Sequence, residues 1–341
     1  MEGTALMTGL RKWALGIAMV LAGATLICLA LIPGLFSVAP KFSDLTTKFK
    51  PEMTAATVAQ LRTDLSALSA AQTQFTTEAV PALATELGMT PTQLQATMQQ
   101  QFPATSAGMA AVPGITAQFN QVLTVMDSQL GNFAQADSIP TSSISPSTIP
   151  WVLVVVGALL IVCGVFIRRW WRAGVALVIG ALLIAVPLAL SLPGKATAAD
   201  AMNTQMTPLF TAQTVASAQQ SMATMEAMGV EMQTKLIPTL AQMLNTTPAQ
   251  LEATLAAGFP ALGASLTSLS TSLGQFDKLV AAYDGSLADY NAIHTTQFTP
   301  IINTILATGG FVLLVGLLGA AELVWRRQAA PAAVPATVPA S

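Results

Sequence analysis

The chain has 341 residues, of which 53% are hydrophobic and only 9% charged, with a formal net charge of -2. Soluble domains carry about 25% charged residues, so hydrocarbon must be one of this chain's solvents. No run of Lys or Arg is dense enough to form a nucleic-acid footprint, and no nucleic-acid partner is expected.

Residues 1–12 form a short basic N-terminus ending in Arg11 and Lys12. Residues 13–35 follow as the first apolar stretch. A helix needs about 20 apolar residues, at about 1.5 Å each, to cross the hydrocarbon layer. The stretch is too long for the core of a cleaved signal peptide, although Ser37-Val38-Ala39 resembles a processing site, so it is read as a retained span. Residues 36–150 form the first long loop. Leu65, Leu68 and Phe75 share one helical face there. Thr90-Pro91-Thr92-Gln93 predicts a capping box, with Thr as N-cap, Pro in the first turn and Gln reaching back, opening a helix that runs to about Phe102. The Pro and Ser residues of 138–150 predict a semi-rigid connection.

The second span covers residues 151–167, a turn covers 168–172 with Arg168, Arg169 and Arg172, and the third span covers 173–192. The second long loop, 193–300, carries the series Met222, Met225, Met228 and Met232. Their positions in the first loop are held by Leu65, Leu68, Ala71 and Phe75, so a packing face is expected rather than a thioether metal site. Farther on, Thr247-Pro248-Ala249-Gln250 predicts a second capping box. Tyr283, Tyr290, His294 and Phe298 then lie on one helical stripe. They combine the chain's two tyrosines with its single histidine, and are taken as ligand or interface candidates, or else as a packing seam. The fourth span covers 301–325. Residues 326–341, rich in Ala and Pro after Arg326 and Arg327, are expected to be a disordered cytoplasmic tail.

The two halves resemble each other. At an offset of 157, Pro81 to Ala104 matches Pro238 to Ala261 with 13 identities in 24 positions and no gap. Pro33-Gly34 and Pro193-Gly194 are read as equivalent span exits, and an Arg-Arg pair closes each half. The expected fold is therefore all-α: a four-span helical membrane protein made of two tandem parallel repeats. Each repeat is a transmembrane helix, an outer helical bundle and a second transmembrane helix.

Orientation follows from charge. Arg11, Lys12, Arg168, Arg169, Arg172, Arg326 and Arg327 are half of the 14 basic residues, yet they occupy only the short segments at one end of the spans. That end should face the cytoplasm of a plasma membrane, with both termini inside, both long loops outside and these cations against lipid headgroups. All five tryptophans fall at span ends, as interfacial indoles do. Ala18/Ala22, Ala176/Gly180 and Gly316/Ala320 offer small residues for close helix packing. Glu322 is spaced to pair with Arg326. Cys28 and Cys163 sit in different leaflets and act as small apolar residues.

No catalytic motif is present: no His-Glu-x-x-His, Gly-x-Ser-x-Gly, phosphate-binding loop or Cys cluster. Enzyme activity, cofactors and metals are not expected. The function expected from the residues is a scaffold or accessory subunit of a bacterial envelope, associating with itself or with a membrane-complex partner. The alternative is a carrier or transport component for a lipid or other hydrophobic molecule, with an apolar cavity in the outer helical region.

Overall fold

The structure, a computed structural model, describes residues 2–31, 34–139, 146–166 and 169–328. All elements among them are helical. The first half runs α1 (Glu2–Leu31), α2 (Leu35–Phe49), α3 (Ala55–Gln74), a π turn (Phe75–Ala79), α4 (Val80–Glu86), α5 (Pro91–Gln101), α6 (Pro103–Asp137) and α7 (Thr148–Phe166). The second half runs α8 (Arg169–Ala189), α9 (Leu192–Met206), α10 (Ala212–Glu231), a second π turn (Met232–Leu236), α11 (Ile237–Met243), α12 (Pro248–Gly258), α13 (Pro260–Ile293) and α14 (Phe298–Gln328).

Local chemistry explains the punctuation. Thr54 and Thr211 accept from the backbone amides of Thr57 and Thr214 and so start α3 and α10. Both expected capping boxes form, Thr90 with Gln93 and Thr247 with Gln250. The two π turns precede Pro81 and Pro238. A proline ring collides with the carbonyl four residues back, and a locally wider turn relieves that collision while the helix continues.

The elements of the two halves correspond in register. Every helix or π turn from α2 to α6 begins 157 residues before its counterpart between α9 and α13. The positive backbone φ angles follow the same offset: Gly34 (65°) with Ser191 (53°), and Gly88 (66°) with Asn245 (55°). This corrects one expected equivalence. Gly194 lies inside α9, and the counterpart of Gly34 is Ser191, a residue whose side chain gives no hint of a left-handed backbone.

By contacts the chain divides into two compact units, one of residues 1–43, 138–200 and 295–341 and the other of residues 44–137 and 201–294. The first contains the apolar helices. Three of these, Thr148–Phe166, Trp171–Ala189 and Phe298–Glu322, are long and apolar enough to cross a membrane. A fourth candidate is a bent pair, Leu15–Leu31 with Leu35–Phe49, turning by 50°. The stretch expected to be one span over 13–35 is thus divided between two helices. Gly34, just before α2, has a positive φ of 65°, and residues 32 and 33 lie outside the described residues. Nearly all the exposed large apolar side chains, Val155, Leu182 and Leu317 among them, belong to this unit, with only Val230 and Met243 elsewhere. Water does not tolerate so large an apolar surface, and lipid does.

Inside this unit the helices meet at glycines. A Cβ added at Gly16 would lie 2.7 Å from the Gly164 carbonyl oxygen, and one at Gly157 would lie 2.7 Å from that of Gly23. The pairs Gly16/Gly23 and Gly157/Gly164 are two turns apart on their helices, so α1 and α7 touch backbone to backbone. Helices α8 and α14 do the same through Gly180, Gly309 and Gly316. Of the small residues expected at contacts, Ala22, Ala176, Gly180 and Gly316 are buried, while Ala18 and Ala320 are only half-buried.

The second unit joins the two long loops. Each loop was expected to form a bundle of its own. Instead α3 packs on α6 and α13, and α10 packs on α6 and α13, closing a ring of four helices. The physical reason lies in reciprocal fits across the halves. The Gln74 side-chain oxygen accepts from the amides of Ala261 and Leu262 at 2.9 and 3.1 Å, capping α13. Its counterpart Glu231 accepts from the amide of Thr105 at 2.7 Å near the start of α6. Free amides at a helix start favour such an acceptor, above all an anionic one. Volumes are exchanged as well. Met228 lies over Gly108, where a Cβ would come within 2.6 Å of the Met228 Cβ, whereas the corresponding positions hold the small Ala71 and Ser265. Met222, Met225, Met228 and Met232 are all buried in this unit.

Candidate functional site

An apolar cavity lies in the unit of apolar helices. It forms where the chain leaves α1 and α8 and where α7 and α14 begin, at the far end of these helices from the close of α7. Residues 169–172, expected in a turn, instead open α8. Leu35 and Leu192 follow the two left-handed breaks directly and face the space, as do Ala39 and Ala196 one turn later. The remaining wall comes from Ile149 and Pro150 at the start of α7 and from Ile301 and Ile302 in the first turn of α14, together with Phe42 and Phe298. The cavity holds about 110 Å³, and every described residue lining it is apolar.

The lining repeats between halves. Leu35/Leu192 and Ala39/Ala196 are related by the 157-residue offset, and Ile149/Ile301 and Pro150/Ile302 by 152. The same 152 relates Gly157 and Gly164 to Gly309 and Gly316. The shortening by five falls in the connection before the last helix of each half, part of which lies outside the described residues.

Polar clasps hold the rim. Lys195 Nζ donates to the Ser138 carbonyl at 2.9 Å. The Asp200 carboxylate accepts from the amides of Phe298 and Thr299 at 2.7 and 2.8 Å, closing the N-terminus of α14. Phe42 and Phe298 meet with ring centres 5.2 Å apart, and Trp151 stands edge-on to Phe36 at 5.1 Å.

Of the stripe expected on the second loop, Tyr283, Tyr290 and His294 stay in one unit, with the Tyr290 and His294 rings stacked at 6.0 Å, and Phe298 falls in the other. Phe298 lines the cavity just described. Tyr283 and Tyr290 belong to the other unit, buried with Phe49 and Phe210; the Phe210 and Tyr290 rings stack at 4.3 Å and Phe49 meets Tyr283 edge-on at 4.9 Å. The Tyr290 hydroxyl donates to the Asn203 carbonyl at 2.7 Å and pairs with the Thr207 hydroxyl at 2.7 Å. Burial pushes its phenol up from the ordinary value, against the hydrogen bond from Thr207. Burial pushes the Tyr283 phenol up further, and its hydroxyl has no hydrogen-bond partner. His294 is exposed at the end of α13, with Nδ1 2.9 Å from the Asn291 carbonyl. The two tyrosines thus form a packing cluster with phenylalanines that periodicity alone could not bring to them.

Of the basic residues assigned to lipid headgroups, only Arg172 has a described side chain. It donates to the Val165 carbonyl at 3.1 Å, at the end of α7, where a cation suits the orphan carbonyls. The side chains of Arg11, Lys12, Arg169, Arg326 and Arg327, all of Arg168 and the tail after residue 328 lie outside the described residues, and with Arg326 goes the pairing expected for Glu322. No group of three His, Cys, Asp or Glu side chains suited to a metal occurs among the described residues. Compared with known proteins, the chain matches no family model, no curated protein and no solved structure.

Proposed function

We propose that this chain is a non-enzymatic, multi-pass protein of a bacterial plasma membrane that binds a hydrophobic molecule at the outer ends of its spans, as a lipid-handling or transport component. The carrying observation is the wholly apolar cavity of about 110 Å³. A packed interior leaves few voids larger than a water molecule. A void of this size between helices, with no polar side chain in its described lining to hold water, favours an apolar guest.

The reading includes four spans, tandem parallel repeats and both termini in the cytoplasm. Supporting it are the confinement of half the basic residues to the short segments, the bent pair that can serve as one span, and the offset of 157 that relates element boundaries and positive φ angles alike. Both long loops are then extracytoplasmic.

A scaffold, associating with copies of itself or with a membrane-complex partner, is the second reading. Residues 44–137 and 201–294 form one unit whose apolar voids hold only about 20 Å³ each and whose open groove of about 670 Å³ is lined mainly by polar side chains, Ser66, Ser69, Thr73 and Gln74 among them, a surface suited to docking rather than to holding an apolar guest. Native mass spectrometry of protein released from nanodiscs separates the two. A bound hydrophobic adduct that survives washing with detergent supports the first reading. Adduct-free protein joined to a defined partner by crosslinking supports the scaffold and overturns the first.

A further inference from the structure

We infer that the cavity is the seat for the terminal segment of one linear alkyl chain, the acyl tail of a membrane lipid, held once per protein molecule. This rests on the reading above that the guest is hydrophobic, and adds its shape, its class and its number.

Shape follows from volume. An apolar cavity of roughly 150 Å³ stays dry and accepts benzene. The present cavity, about 110 Å³, is somewhat smaller, so neither a fused-ring molecule nor a whole lipid fits inside it. The methyl end of a single chain does. Class follows from the lining, which among the described residues has no side chain able to accept or donate a hydrogen bond, so a guest bearing amide, hydroxyl or carboxyl groups would bury them unpaired. A saturated hydrocarbon end has nothing to lose there.

Number follows from the lining's correspondence. Ala39 and Ala196, Leu35 and Leu192, Ile149 and Ile301 are counterparts in the two halves, yet they converge on one space instead of forming two. Ala39 and Ala196 set its width, being the shortest side chains in the wall and both buried. Leucine at either position projects into the space the chain end would take.

The test uses the full chain in phosphatidylcholine vesicles containing a phospholipid with a photoactivatable diazirine near the methyl end of one tail. A second phospholipid carries it near the carbonyl, and a sterol diazirine serves as a third probe. Attachment at Ile149 and Ile301 is compared with attachment at Val155 and Leu159, which face outward on α7 and report general lipid contact. The methyl-end probe should label the cavity residues several-fold more than the carbonyl-end probe, saturating at one per protein, and the sterol should not. Ala39→Leu and Ala196→Leu should each remove that label, leave outward labelling unchanged and melt no lower than the parent. Should one variant fold poorly, the other decides.

Equal labelling by the two phospholipid probes, or label that persists in a folded leucine variant, would overturn the inference. Cavity label from the sterol that disappears in the variants would keep a hydrophobic guest and reject the alkyl chain. No cavity label from any probe would reject both.

Discussion

The two units of this molecule solve the packing problem in opposite ways. In the unit of apolar helices, backbones touch at Gly16, Gly23, Gly157 and Gly164 while Val155, Leu159 and their neighbours point outward. In the other, large side chains point inward and interlock, Met228 over Gly108 and the phenylalanines around Tyr283. The difference is the one that lipid around the first unit and water around the second would produce. Lipid gives apolar side chains no reason to hide, so close approach and dispersion must hold the helices together. Water drives the same side chains into a core.

The sharpest way to break this contrast is to add bulk at a glycine seam. Gly23→Leu would drive a side chain into the Gly157 backbone, which cannot move aside as a flexible side chain can. The loss should exceed the usual overpacking cost of about 1–3 kcal/mol. It should appear as the largest fall in folded, monodisperse protein recovered in detergent. The same substitution at Gly174, beside which there is open space, should change little.

Next in size is removal of bulk from the interlocked core. Met228→Ala should lower the unfolding free energy by about 2–5 kcal/mol, as buried large-to-small changes do. Its counterpart already is alanine, so Ala71 marks what the site looks like when the opposite residue is Ser265 rather than Gly108. Joining Met228→Ala to Gly108→Ala should restore part of the loss, which a double-mutant cycle on thermal unfolding would read.

A smaller effect separates the two tyrosines. Tyr290→Phe removes bonds to Asn203 and Thr207 and should cost about 1 kcal/mol, whereas Tyr283→Phe removes a hydroxyl with no partner and should be neutral or stabilising. Both phenols are pushed up by burial. Above the ordinary tyrosine value of about 10 the unfolded chain releases protons that the folded one retains. Stability is therefore full below that pH and falls as pH rises beyond it. Replacing both tyrosines with Phe should flatten the alkaline limb of a stability-pH curve. Smallest of all, Lys48→Ala breaks an ion pair to Asp289 at 2.8 Å on a partly exposed surface, and should shift stability by less than about 1 kcal/mol.

Much of the local structure was legible in the residues. The apolar stretches, the two capping boxes and the buried methionine face each depend on neighbours within a few positions, where periodicity and caps carry the information. What was hidden depends on distant partners. Glycines seven apart were passed over for small residues four apart, because only the facing helix reveals which spacing is used. Ser191 gave no sign of a positive φ, and the closing of both loops into one unit rests on Gln74 and Glu231 reaching across more than a hundred residues. The alternative reading of the residues places an apolar cavity in the outer helical region. The one described here lies among the apolar helices, where residues from four helix ends meet, a coincidence of position that no single segment encodes.

Topology is the assumption under both the lipid reading and the packing contrast, and cysteine labelling tests it most directly. With Cys28 and Cys163 replaced by serine, single cysteines are placed at Thr92, at Ala249 and just before Met1. A membrane-impermeant maleimide should label the first two in intact cells and the third only after lysis. Labelling of the N-terminal cysteine in intact cells would mean that the bent first pair does not cross. Protection of Thr92 or Ala249 until lysis would contradict the account altogether.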